Sequence, residues 1–260
     1  MENLIEIKDL YKTYSENNGL FSAKKEPVCA LKGINLEIKK GEILALVGES
    51  GCGKSTLGNC ILKLLDATSG EIFFKGENIL NYNKKQTKAF RKSAQMIFQN
   101  PYSSLNPKMK IKEILEEPLK IHKEKNIKER VLETISMCGL NQNDLKKYPH
   151  EFSGGQRQRV AIARALVLKP EFIVADEPIS ALDVSIAAQI INLLIELKDK
   201  LNLTFLFISH DLNIVKYISN RIAILNRGII VEEGLTDEIF ENPKDDYTKL
   251  LLGSIPKINL

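Results

Sequence analysis

Gly48-Glu49-Ser50-Gly51-Cys52-Gly53-Lys54-Ser55-Thr56 satisfies the phosphate-cradling pattern G-x-x-x-x-G-K-[ST] at every specified position. Its flanks supply the context the pattern needs. Glu42 to Val47 (EILALV) is a short apolar run suited to a buried parallel strand, and Thr56 to Leu65 (TLGNCILKLL) has the length and spacing of a helix. Glycines let backbone N–H groups turn inward around phosphate oxygens, and the following helix adds its positive N-terminal end. The stretch therefore predicts an ATP site. Lys54 is expected to reach the β- and γ-phosphates and Ser55 to ligate Mg²⁺, with Gly48, Ser50, Gly51, Cys52, Gly53 and Thr56 completing the cradle. Cys52, placed beside phosphate in a positively charged environment, is expected to favour its thiolate.

Composition bounds the alternatives. The chain has 260 residues, 43% of them hydrophobic, which is ordinary for a soluble globular protein with a real core and excludes a disordered one. Its 37 basic against 33 acidic residues leave a net charge of +4, too slight to imply nucleic acid. The lysine-rich pieces, Lys84-Lys85, Arg91-Lys92 and Lys120 to Arg130, are interrupted by acids and apolar residues and lack an aromatic stacking platform. Cys29, Cys52, Cys60 and Cys138 show no C-x-x-C spacing, so a reducing compartment fits better than a disulfide frame or a zinc site. The start, MENLIEIKDL, is acidic and amphipathic, unlike a signal peptide. No apolar run approaches the ~18 residues that span a bilayer, so membrane parts of any transport process must come from other subunits.

Along the chain, Ile5 and Ile7 alternate with Glu6 and Lys8, and Ile34, Leu36 and Ile38 with Asn35 and Glu37, the period of half-exposed strands in an antiparallel flap. Ser15 to Pro27 reads as a loop or insertion between them, and Gly70 to Lys75 (GEIFFK) as a strand returning to the flap. From about Asn100 to Phe152, prolines separate lysine-rich helical patches with no strong strand, which predicts a helical subdomain. Ser153-Gly154-Gly155-Gln156 opens a helix to about Leu168, with Ser153 as N-cap and Lys169-Pro170 as stop. Phe172 to Ala175 is a strand ending on Asp176-Glu177, Val184 to about Lys200 a buried helix, and Leu203 to Ser209 a further strand leading to His210. Arg221 to Val231 is a hairpin turning at Asn226-Arg227-Gly228, followed by a helical tail. Strands alternating with helices predict a parallel α/β sheet.

A phosphate loop needs a carboxylate for its metal, and an aspartate at the end of a buried strand suits that task; Asp176 takes it here. Glu177 follows, where a second carboxylate accepts a proton from attacking water. With FSGGQRQR at Phe152 to Arg159 added to these motifs, the chain resembles the ATP-binding subunits of ABC transporters over nearly its whole length. That family usually has leucine where Phe152 stands, and other phosphate-loop kinases and GTPases lack the motif. The resemblance implies an α/β fold with a phosphate-loop NTPase (RecA-like) parallel-sheet core, an antiparallel β subdomain and an α-helical subdomain. One ABC ATPase domain would fill residues 1–260: about 1–99 and 160–231 as nucleotide-binding core and flap, about 100–159 as helical subdomain with the signature, and about 232–260 as tail.

The resemblance also assigns roles. Ser153, Gly154, Gly155 and Gln156 would close on the γ-phosphate of ATP bound by a second chain, and Asp183 in SALD would lie in the loop that crosses to it. Gln99 matches the glutamine that senses Mg²⁺ and attacking water and links to the membrane subunit, and His210 the histidine that contacts the γ-phosphate and supports Glu177. Tyr14 matches the aromatic that stacks on adenine, with Tyr11 nearby as the other choice. QNPYSSLNP at Gln99 to Pro107, DEPISALDVS at Asp176 to Ser185, GLFSAKKEP at Gly19 to Pro27 and NPKDDYTKLLLGSIP at Asn242 to Pro256 are similar to the dipeptide, oligopeptide and nickel importer branch. Asp245-Asp246 stands where His-Pro is common, and no cysteine-bearing extension follows, so no iron–sulfur cluster is implied. The shorter tail leans towards nickel or a metal chelate, with peptide import at least as good. Implied partners are a second, related ATPase (non-identical, or an identical copy), two integral membrane permeases and an extracellular substrate-binding protein, and the implied location is the cytoplasmic face of the membrane. The competing class is a soluble ABC-type ATPase acting on nucleic acid or ribosomes; such proteins usually carry two cassettes or a long coiled-coil insertion, and this chain has neither.

Overall fold

The computed structural model describes residues 2–14 and 27–254; the Gly19 to Glu26 part of the GLFSAKKEP stretch and the Ile255-Pro256 end of the tail lie outside them. The chain divides into two compact units, residues 1–83 with 206–260 and residues 84–205. In the first, β1 (Asn3–Tyr14) and β2 (Val28–Lys39) pair antiparallel with Ile5 opposite Ile38 and Ile7 opposite Leu36. All four are buried while Glu37 faces water, so the alternation in the sequence marks the core face. β3 (Ile43–Val47) is buried at every position, as its unbroken apolar run requires. Helix α1 (Lys54–Ile61) begins two residues before the expected start, because left-handed Gly53 (φ 115°) forms its N-cap, and the chain turns out of it at Lys63 (φ 52°). β4 (Ser69–Phe74) returns to β1 as expected, and with β5 (Glu77–Asn78) completes an antiparallel sheet of order β2-β1-β4-β5.

The second unit starts with α2 (Lys84–Ser93), a helix that no pattern in the sequence marks; only Phe90 of its ten residues is buried, too few to make a period. β6 (Ala94–Ile97) follows, then three helices, α3 (Pro101–Ser104), α4 (Ile111–Ile121) and α5 (Ile127–Met137). The helical character expected of this stretch holds. α4 buries Ile111, Ile114, Leu115 and Leu119, one face of the helix. α6 (Gly154–Leu166) is followed by a turn to left-handed Lys169 (φ 54°) before Pro170, and Arg159 on it donates from Nη1 to the Cys138 carbonyl at 3.0 Å, tying it to the end of α5. β7 (Phe172–Asp176) lies parallel to β6, with Ile97 opposite Ala175, and α7 (Val184–Leu201) buries Ile190, Ile191 and Leu194 as expected.

β8 (Thr204–Ile208) carries the chain back to the first unit, where the Ser209 N–H bonds the Leu46 carbonyl at 3.3 Å. After α8 (Leu212–Ile218), β9 (Arg221–Asn226) runs parallel to β3, and β10 (Ile229–Leu235) turns back through Arg227 (φ 45°) and Gly228 (φ 84°), the left-handed pair a tight hairpin demands. β10 runs further than the sequence implied before the tail becomes α9 (Thr236–Glu241) and α10 (Asp246–Gly253). Ala45, Val47, Leu212, Val215, Ile222 and Ile224 form a core on which Tyr247 and Leu251 of α10 pack. Parallel strands, an antiparallel sheet and helices thus make the mixed α/β fold that the motifs predicted.

Candidate functional site

In the first unit the phosphate loop leaves the end of β3 and enters α1. Its glycines are set by close approach: a Cβ on Gly48 would lie 2.1 Å from the Leu225 carbonyl oxygen, and one on Gly53 2.7 Å from that of Ala30. Only glycine fits either place. α1 has no acidic residue in its first turn to offset the positive end of its dipole. Gly51, Ser50 and Ser55 are exposed, and Thr56 is half-buried. Lys54 is buried with 6% exposure, and its ammonium donates to the carbonyls of Gly48 at 2.6 Å and Glu49 at 2.8 Å. A cation folded back over a ring of backbone groups at a helix N-terminus is a fitting environment for phosphate. The thiolate expected of Cys52 is corrected here: burial pushes the thiol up and outweighs Lys54, whose Nζ lies 3.9 Å from Sγ and pulls it down.

Two contacts complete this half. The Tyr14 hydroxyl lies 3.3 Å from Thr56 Oγ1, with the ring 42% exposed at the end of β1 and Lys12 Nζ 5.2 Å from its centroid. Tyr11 instead lies against Gly33, where a Cβ would meet its hydroxyl at 2.9 Å, so of these two tyrosines Tyr14 is the one next to the phosphate loop. The Tyr247 hydroxyl of α10 accepts the Glu49 N–H at 3.1 Å, a neighbour 198 positions away that no local pattern indicates. His210, just past β8, is exposed.

In the second unit, Asp176 ends β7 with 7% exposure, and Glu177 follows with φ 43°. A left-handed glutamate is uncommon, and such conformations gather at functional sites. Gln99, just beyond β6, donates from Nε2 to Glu177 Oε2 at 2.9 Å, so two residues predicted separately meet. Hydroxyl, carboxylate and amide oxygens, as on Ser55, Asp176 and Gln99, are the hard donors Mg²⁺ takes. Among the described residues no three His, Cys, Asp or Glu side chains gather as a metal site.

The signature segment forms a capping box. The Ser153 Oγ accepts the Gln156 N–H at 3.3 Å, and the Gln156 Oε1 accepts the Ser153 N–H at 3.0 Å. Gly154 has ordinary space around it, its nearest neighbour for a Cβ being Leu182 Cδ2 at 3.4 Å. On Gly155 the same atom would meet Ile186 Cγ2 at 2.4 Å, so this glycine lets α6 approach α7, a packing duty that the motif does not announce. Asp183 is exposed and caps α7 by accepting the Ile186 N–H at 3.0 Å.

A glycine cradle with its lysine at the end of one parallel strand, and an Asp-Glu pair at the end of another, define a phosphate-loop nucleotide-binding protein. Comparison with known proteins narrows the class. The family described as ABC transporter matches residues 31–180. The oligopeptide transport ATP-binding protein OppF of Bacillus subtilis is 51% identical across 98% of this chain and 83% of its own length, and the dipeptide transport ATP-binding protein DppF of Escherichia coli is 44% identical across 98% and 77%. Among solved structures, the dimeric post-hydrolysis state of the ATP-binding cassette MJ0796 with ADP and Pi superposes with a TM-score of 0.77 at 33% identity, covering 89% of this chain and 98% of that one. The chain belongs to the ABC transporter family and is an ATP-binding ATPase of it. No helix among the described residues is long and apolar enough to cross a membrane.

Proposed function

We propose that residues 1–260 act as one ABC ATPase domain, the ATP-hydrolysing subunit that powers a peptide importer. The observation that carries the chemistry is the strained Glu177, next to buried Asp176 and bonded to Gln99 at 2.9 Å. In this reading Glu177 takes the proton of the attacking water, Gln99 orients that water, and His210 steadies the γ-phosphate. Lys54 and the amides from Gly51 to Thr56 neutralise the phosphates, and Tyr14 stacks on adenine. Ser55, Asp176 and Gln99 would hold Mg²⁺, which would supply charge neutralisation of the phosphates. Ser153, Gly154, Gly155 and Gln156 close over ATP held by a second ATPase chain, with Asp183 in the crossing loop. The dimeric state of the ATP-binding cassette MJ0796 with ADP and Pi supports pairing of this kind.

The remaining partners are two membrane permeases and an extracellular binding protein, and the subunit sits peripherally on the cytoplasmic face. The relatives named above are peptide transport proteins, which favours peptide over nickel or a metal chelate, and they give the nucleic-acid alternative no support. The test is Glu177→Gln together with the matching change in the partner ATPase. Hydrolysis should fall by roughly 10²- to 10⁴-fold while ATP still binds. A doubly substituted pair that keeps the original rate would sink the assignment.

A further inference from the structure

Gly48 and Glu49 share one peptide group, and two side chains hold its two ends. The N–H belongs to Glu49 and is accepted by the Tyr247 hydroxyl at 3.1 Å; the carbonyl belongs to Gly48 and accepts Lys54 Nζ at 2.6 Å. A peptide group is planar and turns as a unit, so whatever fixes its N–H also fixes the direction of its carbonyl. The fixing is needed here because a glycine on one side removes the side-chain clashes that elsewhere hold a peptide plane in place.

Tyr247 is itself well anchored. Asp245 caps α10 by accepting the Tyr247 N–H at 2.9 Å, and Glu232 of β10 accepts the N–H groups of Lys244 at 2.8 Å and Asp245 at 3.0 Å. The tyrosine packs on the core that includes Val47, the residue before Gly48. The start of α10 is thereby pinned to β10 at one end and to the phosphate loop at the other.

We infer that Tyr247 is a positioning residue of the ATP site, whose hydroxyl orients the Gly48–Glu49 peptide and through its carbonyl the ammonium of Lys54. This makes α10 a working part of the nucleotide site. The inference rests on the reading of Lys54 as a ligand of the ATP phosphates. Tyr247 touches neither nucleotide nor water in it; it narrows the directions from which Lys54 meets phosphate, so its loss should be felt in binding before it is felt in the chemical step.

The test is Tyr247→Phe, which keeps the ring in its packing and removes one hydroxyl. In the assembled transporter KM for MgATP should rise about 3- to 10-fold, the scale of one lost neutral hydrogen bond, with kcat unchanged. In the full-length chain, hydrogen exchange at the Glu49 amide should accelerate while the melting temperature stays the same. A merely structural tyrosine would move the melting temperature and leave the KM-against-kcat split alone. An unchanged KM overturns the inference, and so does a raised KM with unchanged exchange at Glu49, which would put the effect elsewhere. A wild-type chain that binds no MgATP removes the reading of Lys54 and this role with it, whereas equal binding by wild type and variant removes the role alone.

Discussion

Asp183 shows how one side chain can answer to two demands. Its carboxylate caps α7, an 18-residue helix, and yet it is exposed and stands in the loop proposed to cross to a partner. An N-cap contributes about 1 kcal/mol, so Asp183→Ala should lower unfolding stability by about that much in a denaturant titration. Asn caps as well as Asp, and Asp183→Asn should leave stability within a few tenths of a kcal/mol while removing the charge. A drop in ATPase activity in the Asn variant then belongs to the partner-facing role alone. An Ala variant as stable as the parent would show that the cap adds nothing.

Between elements, the contact of α6 with α7 turns on the second glycine of the signature. A Cβ on Gly155 would lie 2.4 Å from the branched Ile186 side chain, which has little freedom to yield. Gly155→Ala should therefore cost about 1–3 kcal/mol by overpacking, whereas Gly154→Ala, with its nearest neighbour at 3.4 Å, should stay within about 0.5 kcal/mol. Equal stabilities of the two variants in urea would contradict the packing account. The same asymmetry makes Gly154 the better position at which to probe a nucleotide contact, since a change there leaves the fold alone.

Two chains are needed to complete the proposed site, so the assembly carries its own prediction. With Glu177→Gln in this subunit and its matching change in the partner ATPase, MgATP should bring the two chains together as a pair on size-exclusion chromatography. Adding Gly154→Asp places a carboxylate where the γ-phosphate of the other chain's ATP would lie, and the pair should disappear. Persistence of the pair with that variant would argue against the signature as a phosphate contact. Reciprocal bias between nucleotide and membrane subunits then follows from linkage: whatever state ATP favours, the permeases that favour the same state bind tighter.

The residue order alone settled the parts of this protein whose cause is local. Continuous apolar runs become β3 and β7 because both faces of such strands are buried, and their carboxyl ends carry the phosphate loop and Asp176-Glu177. The glycine pattern, the Ser153 cap and the Arg227-Gly228 turn were legible because each depends on backbone conformations within a few residues. The course of α2 was not legible, since one buried side chain, Phe90, makes no periodicity, nor was the full length of β10, which is set by pairing with β9. Tertiary structure alone decided that Gln99 meets Glu177 across 78 positions, that Tyr247 reaches the phosphate loop across 198, and that Gly155 is a packing glycine. It also turned the expected thiolate at Cys52 into a thiol pushed up by burial. Contacts and desolvation of this kind arise between segments that only folding brings together, so no window of sequence contains them.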